Sequence, residues 1–278
     1  MLRDRLRDLY PNSSGRRLKQ WLEAGRIRVN DVVVRRADVA IGSGDRVVLG
    51  APPPAPFPAS LRLVHEDDTV IVVDKPPGVL TIATEHERER TVYRLLRDWL
   101  EANGAGRVFV VHRLDRETSG LVVFARTVAA KRWLQHQFKA RSPERLYVAL
   151  VEGTVHAPTG TLTSRLAEDR SLRVRPTADR RRGKEAISHY RVLERYRDAT
   201  MLEVRLHTGR RGQIRAQLAA LGHPIVGDRA YGARRDPLRR VALHATRLGF
   251  DRPDGRRVVF ESAPPPGFRR GGAAGLAR

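Results

Sequence analysis

Cysteine is absent from the 278 residues, so disulfide frameworks, thiolate metal sites and cysteine nucleophiles are excluded. No apolar run approaches the ~20 residues needed to cross a bilayer. The opening segment MLRDRLRDLYPN is charged throughout and lacks the apolar core of a secretory signal. Together these absences lead us to expect a soluble, cytoplasmic chain with no membrane partner. There is no P-loop, no Gly-x-Gly-x-x-Gly after a strand, and no His/Asp grouping at metal-ligand spacing; the 9 histidines are scattered. No metal and no cofactor is therefore expected. No internal repeat is visible. Acidic residues are also short: 31 Asp and Glu stand against 53 Lys and Arg, a net charge of +22. Such an excess opposes compaction by self-repulsion and points to a polyanionic partner, nucleic acid before an anionic membrane surface. Most of the basic residues are arginine, whose forked guanidinium pairs with phosphate and stacks on bases.

What is present is a globular composition, 41 % hydrophobic, in a chain long enough for one large domain or two smaller ones. The sharpest internal boundary is APPPAPFPAS at 51–60, half of it proline, which favours an extended spacer over a helix or central strand. Residues 1–50 read as a small α+β domain. Ser13 or Ser14 can cap a helix over GRRLKQWLEA, with Leu18, Trp21 and Leu22 at helical spacing and Gly25 as the stop. RIRVNDVVV reads as a hairpin about Asn30 and Asp31, and GSGDRVVL as a turn and strand.

Residues 61–266 read as the large domain. LRLVHED and TVIVVDKP form paired strands around Asp67 and Asp68. Helices are predicted over TVYRLLRDWLEANG, over TVAAKRWLQHQFKA with Thr127 as cap, and over RGQIRAQLAALG. Strands interleaved with helices, without strict alternation, predict an α+β fold built on a mixed, largely antiparallel sheet. The tail at 267–278 reads as poorly ordered.

The charged stretch HRLDRETSGLVVFAR at 112–126 abuts a predicted buried strand and sets Asp115 between Arg113 and Arg116. Flanking positive charge would hold this carboxylate ionised. By charge pattern alone Asp115 is equally an ion-paired turn residue or a carboxylate kept for chemistry. Lys75 reads as a turn residue paired with Asp74. His112 and His244 read as hydrogen-bonded packing residues, and Gly209, Gly222 and Gly227 as backbone devices. The basic run at 178–186 is either a solvated hairpin or an RNA clamp.

HRLDRETSGLVVFART resembles the main motif of the RluA-type pseudouridine synthases, which modify uridine in ribosomal and transfer RNA. Four further segments fit the same family: VVDKPPGVLT, RLYVALVEG, LHTGRRGQIRAQLAALGHPIVGDRAYG, and the pair LHATRLGF and FESAPPP. The resemblance spans about 61–266 and implies the pseudouridine synthase fold. It also implies that Asp115 is the catalytic nucleophile, that Tyr147 stacks on the target base, and that Arg215 pairs with Asp115. The implied reaction is redox-neutral: the bond from uracil to ribose breaks, the base rotates while trapped, and it re-attaches through carbon. LKQWLEAGRIRVNDVVV…GDRVVL resembles the alpha-L RNA-binding module of a ribosomal protein and several RNA-modifying enzymes.

RNA is thus the expected partner, large-subunit ribosomal RNA first and transfer RNA second, for a monomeric enzyme. Arg16, Arg17, Lys19, Arg28, Arg113, Arg116, Arg210 and Arg211 are the expected RNA contacts. Two departures from the family pattern, Gly212 and Gln217, leave a non-catalytic RNA-binding or ribosome-assembly factor as the alternative, and place substrate positioning near that helix in question.

Overall fold

The computed structural model describes residues 1–51, 54–85, 87–169 and 173–269. The chain divides into two compact units, Met1–Pro56 and Phe57–Arg278.

In the first unit the charged opening segment, read above only for its lack of an apolar run, forms helix α1 (Leu2–Leu9). Leu2 and Leu6, one turn apart, are buried, and the charged residues between them face solvent. Helix α2 (Gly15–Glu23) is capped by Ser14, whose side chain accepts from the Arg17 amide. Strands β1 (Ile27–Val29), β2 (Val32–Val33) and β3 (Val47–Leu49) form an antiparallel sheet in the order β2-β1-β3. Asn30 and Asp31 both adopt positive φ, the geometry of a tight hairpin turn. Leu18, Trp21, Leu22, Ile27 and Val29 complete the core with Leu2 and Leu6.

The second unit is built on an 11-stranded sheet. Its strands are β4 (Arg62–Glu66), β5 (Val70–Lys75), β6 (Phe109–Val110), β7 (Ser119–Ala125), β8 (Glu144–Glu152), β9 (Thr159–Glu168), β10 (Val174–Pro176), β11 (Lys184–Arg195), β12 (Ala199–Leu206), β13 (Leu243–Asp251) and β14 (Arg257–Glu261). The main order is β10-β9-β11-β12-β8-β13-β7-β5-β4, with β14 on β13 and β6 on β7. Among the described residues every strand pair is antiparallel except β13 with β7, so the sheet is mixed and largely antiparallel. The long strands β9 and β11 extend one wing, and β9 and β10 carry polar alternation that gave no strong sequence signal.

Helices α3 (Val92–Ala102) and α4 (Val128–Ala140) are capped by Thr91 and Thr127, and α5 (Gln213–Ala220) starts at Gly212. Each threonine cap stabilises its helix by about 1 kcal/mol. The central strands are buried on both faces, which explains their near-continuous apolar sequences. At the parallel junction Gly120 has φ +111, and a Cβ there would overlap the Ala245 backbone. Only glycine lets β7 and β13 approach this closely.

Two sequence readings are corrected. Phe268 lies in the segment read as a poorly ordered tail, yet it is 1 % exposed and packs in the main core, with Arg240 over its ring. The rest of that reading, at 270–278, falls outside the described residues. Lys75 does not pair with Asp74. Its Nζ donates to the carbonyls of Pro76, Val79 and Arg116 at 2.7–3.1 Å, while Asp74 pairs with Arg62 at 2.6 Å.

Candidate active site

Asp115 lies in the loop that leads into β7, and the VVDKPPGVLT segment clamps that loop on both sides of it. Before it, the Thr81 hydroxyl donates to the Leu114 carbonyl at 3.0 Å and accepts from the Leu114 amide at 3.1 Å. After it, the Arg116 carbonyl accepts from the Gly78 amide at 2.8 Å and from Lys75 Nζ. Lys75 is fully buried, and burial draws its pKa down to about 7 against the opposing charges of Glu117 and Asp115. This explains why two motifs some forty residues apart share one site: the first supplies the backbone bonds that fix the second.

The flanking arginines are not the partners of Asp115. Arg116 donates to the Gly78 carbonyl instead, and neither Arg116 nor Arg113 forms an ion pair with Asp115. The partners come from α5. The Gly212 amide faces Oδ1 at 3.4 Å, and Arg215 Nη1 lies 3.8 Å from Oδ2. Arg215 is itself held by Asp228 in a two-pronged pair, Nε to Oδ2 at 2.7 Å and Nη2 to Oδ1 at 2.8 Å. Asp228 is 1 % exposed. The Arg215 guanidinium also lies over the Tyr231 ring, 4.7 Å from its centroid. Burial works to lower the pKa of Arg215, but the bonds and charge of Asp228, with Asp115 adding, raise it overall. The guanidinium is thus a fixed cation, two of its three nitrogens spent on Asp228 and the third turned to Asp115.

Tyr147 occupies β8 between Ala245 of β13 and Val204 of β12. It lines the same cavity as Asp115 and Arg215, a space of about 560 Å³. Burial pushes its phenol up to about 12, against the opposing charge of Arg145, so the hydroxyl is neutral at physiological pH. The structure therefore brings Asp115, Tyr147 and Arg215 to one cavity.

The expected RNA contacts fall into two groups. Arg16, Arg17, Lys19 and Arg28 are all exposed on the first unit. Arg113, Arg210 and Arg211 line the cavity of the second unit. Arg211 is partly engaged with Glu168 at 3.2 Å, and Arg210 with the Glu185 carbonyl. Arg116 borders an adjoining cavity that Asp115 also lines.

The two departures from the family pattern have different meanings. Gln217 is buried and binds within the fold: it accepts from Ser188, and its amide donates to Leu162, Ser164 and Ala186. It pins α5 to strands β9 and β11 and does not line the cavity. The expectation that it bears on substrate placement is corrected. Gly212 does face the cavity; it has φ +58, and the Tyr231 hydroxyl stands where its Cβ would be.

Sequence reasoning missed Asp228, Tyr231 and Thr81. The signal for the first two was present in VGDRAYG, where a lone acid and an aromatic flank Arg229 just after the buried pair Ile225 and Val226. His112 and His244 are packing residues. The His112 Nε2 accepts from the Val123 amide at 3.2 Å with its ring stacked on Phe138, and His244 bonds with Ser119 and Ser262. Among the described residues no group of three or more His, Asp or Glu could hold a metal. No described helix is long and apolar enough to cross a membrane.

A family model described as RNA pseudouridylate synthase matches residues 69–220. The chain belongs to this family. Among curated relatives, a protein named ribosomal large subunit pseudouridine synthase D from Pseudomonas aeruginosa is 37 % identical over 281 residues, covering 94 % of this chain and 87 % of that protein. An uncharacterised RNA pseudouridine synthase from Aquifex aeolicus is 34 % identical, covering 94 % and 89 %. Among solved structures, human RNA pseudouridylate synthase domain containing 1 superposes with a TM-score of 0.62 at 25 % identity, covering 76 % of this chain and 86 % of that one. Human RNA pseudouridylate synthase domain containing 4 shares the fold, with a TM-score of 0.63 at 21 % identity over 75 % and 90 %. The family match contains Asp115, Tyr147 and Arg215, while Asp228 and Tyr231 lie beyond its end.

Proposed function

We propose that this chain converts specific uridines of structured RNA to pseudouridine, with Asp115 as the attacking carboxylate, Tyr147 as the platform for the extruded base, and Arg215 as the cation that orients Asp115. The observation that carries the reading is the convergence of all three on one cavity, with Arg215 fixed from behind by Asp228. A base must leave its stack to reach such a cavity, and an aromatic face can hold it there. In the reaction the bond between uracil N1 and ribose C1′ breaks, the base turns, and C5 bonds to C1′. C5 loses a proton and N1 gains one, so no redox partner or energy source is needed.

Large-subunit ribosomal RNA is the first substrate we propose, supported by relatives of that name at 35–37 % identity; transfer RNA is the second. The exposed Arg16, Arg17, Lys19 and Arg28 support a role for the first unit in gripping RNA phosphates. The test is pseudouridine mapping of large-subunit ribosomal RNA and transfer RNA transcripts treated with wild-type protein and with Asp115→Asn. Wild type should modify discrete uridines. Asp115→Asn should modify none while binding RNA with unchanged affinity. Turnover by Asp115→Asn at the wild-type rate would remove Asp115 from the chemistry.

A further inference from the structure

Arg145 is a buried cation without a counter-ion among the described residues. It stands two residues before Tyr147 on β8 and therefore on the same face of the sheet. It is 8 % exposed and lines the cavity that holds Asp115 and Tyr147. Among the described residues no carboxylate lies in ion-pair range of it, and its Nε has no hydrogen-bond partner. Nη2 reaches the His207 carbonyl at a long 3.3 Å, and the guanidinium lies 5.7 Å from the centre of the Phe138 ring. Burial pulls its pKa down, and the charge of Arg141 adds to that direction against an opposing influence of Tyr147. The guanidinium lies against the Gly209 backbone, where a Cβ would meet Arg145 Nη1 and make the side chain shift. A buried cation on a cavity wall with no counter-ion is costly alone and gains most from a group that brings negative charge to it.

The arriving group is set by the chemistry. The inference rests on the proposed uridine isomerisation, but not on its route. Suppose Asp115 displaces the base at C1′, or removes the C2′ proton as the base departs. The electron pair of the broken N1–C1′ bond then stays on uracil, and its charge spreads over N1, O2 and O4. Suppose instead that Asp115 adds to C6. The pair of the C5–C6 double bond then moves out to the O4 enolate. In each case a base that enters neutral becomes anionic inside the cavity, and it is neutral again once C5 has bonded to C1′ and Asp115 is a free carboxylate; the closing exchange of the C5 proton for one on N1 leaves the charge unchanged.

We propose that Arg145 is a catalytic residue that donates hydrogen bonds to a carbonyl oxygen of the trapped uracil and stabilises the negative charge the base carries while detached or covalently modified. Its charge is placed beside the stacking ring and not on Asp115, so that the cation follows the base while Arg215 serves the carboxylate. Arg145 also borders a smaller cavity with Arg141, His189 and Arg205. A backbone phosphate is therefore the competing occupant that the experiment must separate.

The test compares wild type with Arg145→Met, Arg145→Gln and Arg145→Lys in thermal unfolding, in RNA affinity at several salt concentrations, and in single-turnover pseudouridine formation on large-subunit ribosomal RNA and transfer RNA transcripts. Neutral Arg145→Met should melt at or above the wild-type temperature, because it removes a buried unpaired charge. It should bind RNA with an unchanged salt slope, and it should lose about 10²-fold in the rate of the chemical step, as removal of a preorganised donor does elsewhere. Arg145→Gln should do the same, and Arg145→Lys should recover most of the rate. A lowered melting temperature with a proportionate loss of rate would make Arg145 structural and overturn the inference. Weaker binding, a flatter salt slope and an unchanged rate would assign it to a phosphate and also overturn it. If wild type forms no pseudouridine on either RNA, the proposed function falls and this role with it. If wild type turns over and Arg145→Met keeps pace, only the role of Arg145 falls.

Discussion

Asp228→Asn should cost this protein both stability and activity, although Asp228 lies behind the site and Arg215 lies between it and Asp115. The carboxylate is 1 % exposed and accepts two parallel bonds from Arg215 at 2.7 and 2.8 Å. Asparagine retains one acceptor, but its amide turns a second donor toward a guanidinium that only donates. Removing one member of a buried pair costs about 3–5 kcal/mol. Here Asp115, 3.8 Å from Nη1, can take up part of the abandoned charge, which puts the expected loss near the lower end, ~3 kcal/mol. For a unit of this size that is about 1–2 M in the urea midpoint. The same rescue damages the chemistry: once the substitution releases Arg215, the guanidinium closes on Asp115 and draws the carboxylate out of line. A displacement of this kind costs on the order of 10² in rate. Urea melts read the first effect and single-turnover pseudouridine formation the second. Adding Arg215→Met to Asp228→Asn should return most of the stability, since no unpaired buried cation remains, but none of the activity. If Asp228→Asn unfolds within about 0.5 kcal/mol of wild type and turns over at full rate, the fixed-cation account of Arg215 is wrong.

Two other outcomes are expected. Tyr147→Phe keeps the ring and should stay within about tenfold of the wild-type rate, whereas Tyr147→Ala loses stacking of ~1–3 kcal/mol per base and should fall much further; equal losses in single-turnover assays would show that the hydroxyl matters more than the ring. His112 has its pKa lowered to about 3 by burial and by the charge of Arg145, and its Nε2 must stay unprotonated to accept from Val123. Between pH 3 and 6.5 the unfolded chain binds the extra proton, so this contribution is complete above about 6.5 and is lost as pH falls, at no more than ~1.4 kcal/mol per pH unit. Urea melts from pH 4 to 8 should therefore show a shallower acid loss for His112→Gln than for wild type, and parallel curves would refute the assignment.

The elements legible in the sequence were those whose signals are local. Thr91 and Thr127 precede apolar residues at helical spacing, and both cap the helices that spacing predicts. The Asn30-Asp31 pair takes the positive φ values that a tight hairpin requires. Helix α1 was not legible, because two leucines among charges show their meaning only when the core of the first unit closes over them. Strands β9 and β10 were hidden for a related reason: at the outer end of the sheet much of their length is exposed, and such strands carry little apolar alternation.

The sequence by itself determined the family, through segments long enough to be matched one residue at a time, and with it named Asp115, Tyr147 and Arg215 as the candidate site residues. Composition alone pointed to an anionic partner. Only the tertiary structure decided who holds whom. Neither arginine beside Asp115 in the chain pairs with it, and its partner arrives from α5, about a hundred residues later. Lys75 left its expected neighbour Asp74 for three carbonyls, and Gln217 proved to be a brace inside the fold. Charge pairs and buried hydrogen bonds depend on distances of 3–4 Å, and adjacency in sequence does not set those distances once strands and loops choose their directions.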